Sequence, residues 1–285
     1  MRFQRLISAA IIACAVSACA KDITGVTHTP PPLAYVRYIN AVPDTFDMDF
    51  RAVDQVAYSQ PFINVAYEGL GAGNYQGYQA GSRHIRIFLD PSPANNTVAV
   101  DPAVVSTVMV DTTLSLTAGQ YYTLIEYGSA RAKTTQAKFM VINDALPAVS
   151  TTNVQFRVIN LAPVEGAVDV YVRPDGTTPL SGAPTVANLA AGAASAYLSQ
   201  ATGPFVIRLT TPGTFTAAAA PAATLQVGTA GTTAVDPIYG SGQGGSVFTA
   251  FIFDASAAGS PGATFATPGV VYYPDRQPAS TLVLP

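Results

Sequence analysis

Three aspartates near the start of the chain are its densest group of side chains able to do chemistry. Asp44, Asp47 and Asp49 lie close together, and strand alternation places Asp47 and Asp49 on one face. Clustered carboxylates are ligands for Ca²⁺, which takes about six to eight oxygens. A later stretch that repeats this one has Val164 and Ala167 where Asp44 and Asp47 stand. We therefore predict no metal site.

Residues for acid–base or nucleophilic catalysis are scarce. The chain has two histidines, and neither a Gly-x-Ser-x-Gly nor a His-Glu-x-x-His motif occurs in it. Glu68 and Glu126 are candidates for the acid pair of a glycosidase, but nothing in the sequence brings them together. We predict no catalytic residues, no cofactor and no enzymatic activity.

Tyrosines offer the strongest indication of binding. Tyr58, Tyr67, Tyr75 and Tyr78 are interleaved with glycines in one stretch. Exposed tyrosine rings on a flexible backbone would bind a ligand or a glycan through apolar area and hydroxyl groups. The alternative is that the rings pack in the core and in turns, and the absence of tryptophan weighs against sugar binding.

The segment Gly240–Gly245 has the glycine spacing of a dinucleotide-binding loop. That motif works only where a helix follows, because the helix N-terminus binds the pyrophosphate. Val247–Phe253 has the composition of a strand, so we interpret the glycines as a mobile loop.

Cys19 carries a different chemistry. A basic start and an apolar run over Leu6–Val16 form a signal-peptide pattern too short to span a bilayer. The run ends in Val16-Ser17-Ala18-Cys19, which resembles the bacterial lipobox, where the cysteine is acylated and becomes the N-terminus. Cys14 ends a rival lipobox with a shorter apolar run, and an ordinary secretory signal is the other alternative.

This pattern predicts a lipid-anchored protein of the bacterial cell envelope. Residues 1–18 would be the signal peptide, and residues 19–33 the lipidated N-terminus and a proline-rich tether. Ala20 rather than aspartate follows the cysteine, which by resemblance to sorted lipoproteins favours the outer membrane. The membrane is the expected partner of the lipid, and an envelope protein or a glycan that of the folded part.

Composition excludes other partners. The formal net charge is −3, only 11% of residues are charged, and no basic cluster exists, so we expect no nucleic-acid binding. No later segment reaches the roughly 18 apolar residues of a membrane-spanning helix.

The elements that would position these residues are short strands. From Leu33 onward apolar and polar residues alternate, and Gly, Pro, Asn and Asp interrupt the runs. We predict an all-β protein of two tandem β-sandwich domains, immunoglobulin-like or similar. The alanine-rich stretch 187–196 is not predicted as a helix, because it contains Gly192 and no charged residue.

An internal repeat sets the domain count. Val36–Phe50 aligns without a gap with Phe156–Val170 at an offset of 120 residues, with five identical positions. The predicted domains are residues 34–145 and 152–285. Weaker similarities follow, among them Tyr122-Thr123 with Phe248-Thr249.

The repeat preserves two charged residues. Alternation places Arg37 and Asp49 opposite the apolar face, as it does Arg157 and Asp169. We predict that each pair bridges neighbouring strands on the partly exposed outer face of its own domain. Such a bridge would contribute about 0.2–1 kcal/mol.

The repeated elements resemble a known family. They are Arg37–Pro43 followed by Asp49, Arg157–Pro163 followed by Asp169–Val172, and the hairpin Leu116–Thr123. All are similar to domain of unknown function 4397 (DUF4397), found in exported bacterial proteins and often in tandem. The resemblance covers nearly all of residues 34–255 and implies a β-fold; the family supplies no catalytic residues. The second copy has Gly240–Gly245 in place of the hairpin.

Together these observations predict a non-enzymatic, lipid-anchored structural or interaction module. The alternative is a ligand- or glycan-binding lipoprotein that uses the tyrosine-rich segment of domain 1.

Overall fold

A computed structural model describes residues 30–55, 61–71, 74–91, 106–216, 223–262 and 264–282. The signal peptide, Cys14, Cys19, most of the tether and Tyr58 lie outside these residues. The described part contains strands and turns but no α-helix, which confirms the all-β prediction. The described residues include no helix with the length and hydropathy of a membrane span.

The first eight strands form two four-stranded sheets, which we call sandwich 1. Their sheet orders are β4-β1-β7-β8 and β3-β2-β5-β6. β1 runs parallel to β7, and the other pairs are antiparallel. The strands are β1 (Leu33–Ala41), β2 (Asp47–Ala52), β3 (Phe62–Val65), β4 (Gln76–Gln79), β5 (Gly81–Asp90), β6 (Val108–Leu116), β7 (Tyr121–Tyr127) and β8 (Lys138–Asn143).

The remaining strands form sandwich 2, whose sheet orders are β12-β9-β16-β17, with β13 also paired to β9, and β11-β10-β14-β15. β9 runs parallel to β16, as β1 does to β7. The strands are β9 (Asn153–Asn160), β10 (Val168–Arg173), β11 (Val186–Leu189), β12 (Ala193–Ala194), β13 (Leu198–Ala201), β14 (Val206–Thr210), β15 (Ala223–Thr224), β16 (Val247–Phe253) and β17 (Gly269–Arg276). The strand order of sandwich 1 is therefore repeated.

Each sandwich encloses its own apolar core. The core of sandwich 1 contains Val36 and Tyr38 from one sheet and Phe50 from the other. In sandwich 2, Phe156 and Phe248 lie opposite residues such as Ile207. Alternation along β1 and β9 supplies these residues, because every second side chain points into the sandwich.

A third apolar cluster lies between the sandwiches. It joins the other faces of two central strands of sandwich 1 and two of sandwich 2, through Ile39, Ile125, Ile159 and Phe251. These strands are therefore buried on both faces. Residues Leu33–Pro285 form one compact unit.

The alanine-rich stretch 187–196 is not helical, as predicted, and supplies β12 and most of β11. Gly192 has a φ of +77°, and a Cβ there would lie 2.3 Å from the hydroxyl of Tyr127 in sandwich 1. Only glycine fits both the left-handed backbone and the close approach.

Candidate functional site

Two arginines lie at equivalent positions of the two sandwiches, on the strand faces that point away from the cores. Arg37 of β1 is paired in register with Thr123 of β7, and Arg157 of β9 with Thr249 of β16. Arg37 Nε donates a hydrogen bond to Thr123 Oγ1 at 2.8 Å, and Arg157 Nε donates to Thr249 Oγ1 at 2.9 Å. Each arginine is thus oriented by a hydrogen bond within its own sandwich.

The ion pairs cross between the sandwiches. Arg37 Nη2 lies 2.6 Å from Oδ1 of Asp275 in β17, an ion pair outside hydrogen-bond geometry. Arg157 Nη2 donates to Oδ1 of Asp144, which follows β8. Each arginine therefore neutralises a carboxylate of the other sandwich.

Hydroxyl groups complete the surroundings of both carboxylates. Asp144 Oδ2 accepts hydrogen bonds from Thr123 Oγ1 at 2.6 Å and from the Tyr75 hydroxyl at 2.8 Å. Asp275 Oδ2 accepts equivalent bonds, both of 2.7 Å, from Thr249 Oγ1 and the Tyr197 hydroxyl. We call these eight residues the crossed network: Arg37, Tyr75, Thr123, Asp144, Arg157, Tyr197, Thr249 and Asp275.

The tyrosines of the crossed network also contact the arginines. The Arg37 guanidinium carbon lies 4.7 Å from the centre of the Tyr75 ring, and that of Arg157 lies 4.9 Å from the Tyr197 ring. Cation–π attraction at these distances adds to the ion pairs. Each sandwich contributes one residue of each type, so the network has an approximate two-fold arrangement.

Burial strengthens the electrostatic interactions within the crossed network. The side chains of Arg37 and Asp275 have an exposed fraction of 0%. Burial lowers the pKa of Arg37, but Asp275 and, to smaller extents, Tyr75, Asp144 and Tyr197 together raise it more, so this pKa lies above its ordinary value. Burial likewise raises the pKa of Tyr75 and of Tyr197, which keeps both hydroxyls as neutral donors. Two cations and two anions neutralise one another.

The prediction that Arg37 pairs with Asp49 and Arg157 with Asp169 is wrong. Asp49 lies in β2 and Asp169 in β10, in the sheets opposite those of β1 and β9. The arginines do point away from their cores, as alternation predicted. That face is buried against the other sandwich rather than exposed. The arginines therefore pair with carboxylates of the other sandwich.

Asp49 and Asp169 hold a different repeated feature. Asp49 Oδ1 accepts the backbone N–H of Asn64 at 2.9 Å, and Asp169 Oδ1 that of Asn188 at 2.6 Å. Both asparagines have positive φ angles, 51° and 47°, beside a register shift in the neighbouring strand pair. Asp49 also pairs with Arg51. The two aspartates therefore stabilise bulged strand edges.

The tyrosine-rich segment is not an exposed platform in the described residues. Tyr67 and Tyr78 are buried, and the Tyr78 ring packs in the core of sandwich 1 against Phe50 and Phe62. The Tyr67 hydroxyl donates to the backbone of Asp254 at 2.6 Å. Tyr75 belongs to the crossed network, and Tyr58 lies outside the described residues. Packing in apolar clusters thus accounts for Tyr67 and Tyr78, and the crossed network for Tyr75.

Two of the three aspartates near the start of the chain, Asp44 and Asp49, are engaged with protein groups. Asp44 accepts the backbone N–H groups of Ala130 and Arg131, each at 2.8 Å. Burial, and to a lesser degree the nearby charge of Asp90, raise the pKa of Asp47. No group of three or more metal-ligating side chains occurs in the part of the chain that the structure describes.

Glu68 and Glu126 are separate buried acids. Burial raises the pKa of Glu68 to about 7 and that of Glu126 to about 8. One carboxylate oxygen of each lacks a hydrogen-bond partner. Glu126 is two residues after Leu124 in the same strand, so its side chain points into the core of sandwich 1, as that of Leu124 does. Glu68 lies instead beside Gly269 of sandwich 2.

A pocket of about 620 Å³ opens at one end of sandwich 1. Its walls include Phe46, Leu89 and Met109, with Arg131 at the rim. Asp44 also lines it, but both oxygens of that carboxylate already accept hydrogen bonds.

Gly240–Gly245 forms a loop before β16, so no helix follows it and the dinucleotide motif is absent.

The fold and this network define a class: a pair of β-sandwiches joined by buried, crossed ion pairs. A DUF4397 domain, described as a domain of unknown function, spans residues 34–171. The match covers sandwich 1 and reaches into β10 of sandwich 2.

Other comparisons show little. No curated protein matches the chain. Among solved structures, "The Bacillus anthracis TIE protein" is matched at 8% identity with a TM-score of 0.21. The alignment covers 85% of this chain and 44% of that one.

Removing one hydroxyl of the crossed network tests its hydrogen bonds. Tyr75→Phe keeps the ring beside Arg37 but removes a donor to the buried Asp144 carboxylate. We expect the free energy of unfolding, measured in urea, to fall by about 1–2 kcal/mol. Tyr197→Phe is the matched variant of the other sandwich. Equal stability of wild type and both variants would contradict the bonds.

Proposed function

We propose that the protein is a non-enzymatic, lipid-anchored cell-envelope protein whose two sandwiches act as one rigid structural or interaction module. The observation that supports this most is the crossed network. Its charged groups are occupied by one another, so they hold the sandwiches together and are not themselves free to act as acids or bases. A rigid body on a tether suits the presentation of a surface to a partner.

The second sandwich, we further propose, is a second copy of DUF4397. The strand order of sandwich 1 recurs in sandwich 2. Equivalent residues also perform equivalent tasks: Asn40 Nδ2 donates to the carbonyl of Val65 at 2.9 Å, and Asn160 Nδ2 to that of Leu189 at 3.0 Å. The chain would then be a tandem pair.

Acylation of Cys19 would anchor this module. Two or more acyl chains on one cysteine give stable membrane binding where a single chain is marginal. The proline-rich segment before β1 would then act as a tether, and a dozen extended residues reach about 40 Å. Because Ala20 follows Cys19, we place the protein in the outer membrane.

Cys19→Ala tests the anchor. We expect an unprocessed precursor that no longer partitions into the detergent phase as the mature lipoprotein does. Cys14→Ala is the matched control and should be processed and retained normally, because its lipobox is not used. Normal processing of Cys19→Ala, or loss of processing in Cys14→Ala alone, would refute Cys19 as the acylated residue. Recovery of the wild-type protein in inner-membrane fractions would refute the outer membrane.

Ligand or glycan binding is the second candidate function. Tyr67 and Tyr78 are buried, so neither ring is exposed to bind a ligand. The pocket beside Arg131, which Gly259 and Pro261 of sandwich 2 also line, is another concave surface. Binding of an envelope glycan by the fragment that starts at Leu33, measured by pull-down, would favour this candidate over a purely structural module.

A further inference from the structure

The two sandwiches share one end, and the proline-rich segment joins the folded part there. Exposed residues Pro30–Pro32 precede β1, which begins at Leu33. The opposite ends of the sandwiches meet, because the N–H of Ala257, which follows β16, donates to the carbonyl of Pro43, which follows β1, at 3.0 Å. Since β16 runs parallel to β9, the starts of β1 and β9 lie at the same end. We call this end the tether end.

A loop of sandwich 2 lies at the tether end. Residues 226–239 stand between β15 and the turn before β16, and β16 begins opposite the start of β9. Thr229 and Ile238 exchange backbone hydrogen bonds of 3.1 and 2.9 Å across the loop. The Thr281 hydroxyl donates to the carbonyl of Thr232 at 2.8 Å, which fixes the segment after β17 against the same loop. The two segments therefore form one ordered surface.

This surface is rich in exposed apolar side chains. We call four of its residues the apolar patch: Val227 (64% exposed), Val235 (63%), Ile238 (52%) and Leu282 (39%). The exposed Leu33 and Val149 lie at the same end, just before or at the starts of β1 and β9. These are six of the thirteen large apolar side chains exposed in the described part of the chain. Apolar groups gathered at one place mark an interaction surface.

The composition of the patch and its place in the chain favour a membrane as its partner. Residues 226–239 and 277–282 contain a single charged residue, Asp236, and no lysine or arginine. Such a surface would bind through apolar burial rather than through attraction to anionic lipid. The anchor would also keep this end near the bilayer, because a dozen extended residues reach only about 40 Å.

We propose that the apolar patch is a docking surface for the lipid membrane in which Cys19 would be anchored. The proposal rests on the proposed anchor, which raises the effective concentration of the patch at the bilayer, so a contact too weak to hold a free protein is populated. The ordered loop lowers the entropy cost of that contact. Docking would point the opposite end, with the pocket lined by Phe46 and Arg131, away from the bilayer.

Tryptophan fluorescence tests the docking, because the chain contains no tryptophan. The unlipidated mature chain, which begins at Cys19 and has no other cysteine, is coupled through that thiol to maleimide-bearing lipid in phosphatidylethanolamine–phosphatidylglycerol vesicles. We expect the emission of Ile238→Trp to shift to shorter wavelength on coupling and to be quenched by brominated lipid. Val164→Trp is the matched control: Val164 is 71% exposed, follows β9 at the opposite end, and should show neither change.

A second substitution in the Ile238→Trp chain tests the patch itself. Val227→Asp should remove most of the quenching, because a carboxylate resists transfer out of water. Val164→Asp adds the same charge at the opposite end and should leave the quenching unchanged. Equal quenching of the two tryptophans, quenching of neither, or equal effects of the two aspartates would overturn the proposal.

Failure of the docking and failure of the anchor give different results. Chemical coupling through the Cys19 thiol needs no acylation in the cell, so the fluorescence of Ile238→Trp reports on docking alone. Processing of Cys19→Ala in the cell reports on the anchor alone. An unquenched Ile238→Trp chain therefore contradicts the docking surface even where Cys19 is acylated.

Discussion

Replacing Asp275 with alanine is expected to lower the free energy of unfolding by about 3–5 kcal/mol. The variant leaves the Arg37 guanidinium buried without the carboxylate that neutralises it. A buried, unpaired charge has lost its hydration and gained nothing in return, which makes this loss larger than that of an exposed bridge. Urea unfolding of the Leu33–Pro285 fragment, followed by circular dichroism, measures the effect.

Asp144→Ala is the reciprocal variant, because it removes the partner of Arg157, and a loss of similar size is expected. Asp111→Ala, in an exposed pair, is the control and should change stability far less. The double variant Arg37→Met/Asp275→Leu removes both charges and should recover most of the loss. A double-mutant cycle without coupling between Arg37 and Asp275 would contradict the crossed network.

Replacing Glu126 with isoleucine is expected to raise stability at alkaline pH. Glu126 is 1% exposed, one of its oxygens lacks a partner, and burial raises its pKa from 4.5 to about 8. It lies opposite Asn40 in register, as Ile252 of sandwich 2 lies opposite Asn160, so isoleucine has a structural precedent.

The sign of the pH dependence follows from this shift. The native state keeps the Glu126 proton up to a higher pH than the unfolded state does. The contribution of Glu126 to stability is therefore full below pH 4.5, falls as the pH rises to about 8, and is constant above that. The total loss is roughly 3–5 kcal/mol. Glu126→Ile should remove this part of the slope.

Urea unfolding between pH 5 and 9 is the measurement that checks this. Glu68 and Asp254, whose pKa values burial raises to about 7 and about 6, should keep a smaller slope in the variant. Asp175→Asn is the control: hydrogen bonds from Thr178 hold the pKa of Asp175 below its usual range, so it titrates only in acid. If the free energy of unfolding had the same slope against pH in wild type and Glu126→Ile, the raised pKa of a buried Glu126 would be contradicted.

Local features of this protein could be predicted from its sequence. Alternation in β1 places Val36 and Tyr38 on one face and Arg37 on the other, because successive strand residues point to opposite sides. The offset of 120 residues correctly paired Arg37 with Arg157 and Asp49 with Asp169 as equivalents. The similarity of Tyr122-Thr123 to Phe248-Thr249 was the one signal for the two threonines of the crossed network.

The partners were decided only by the tertiary structure. Alternation reports which face a residue occupies, but not what covers that face. Here the outer sheet of each sandwich packs on the other, so Arg37 meets Asp275 from the far end of the chain. The same packing removes water from both arginines and turns an expected surface bridge into a buried one. Tyr67 and Tyr78 became core residues for the same reason: burial depends on how sheets stack, and no local pattern of rings and glycines encodes it.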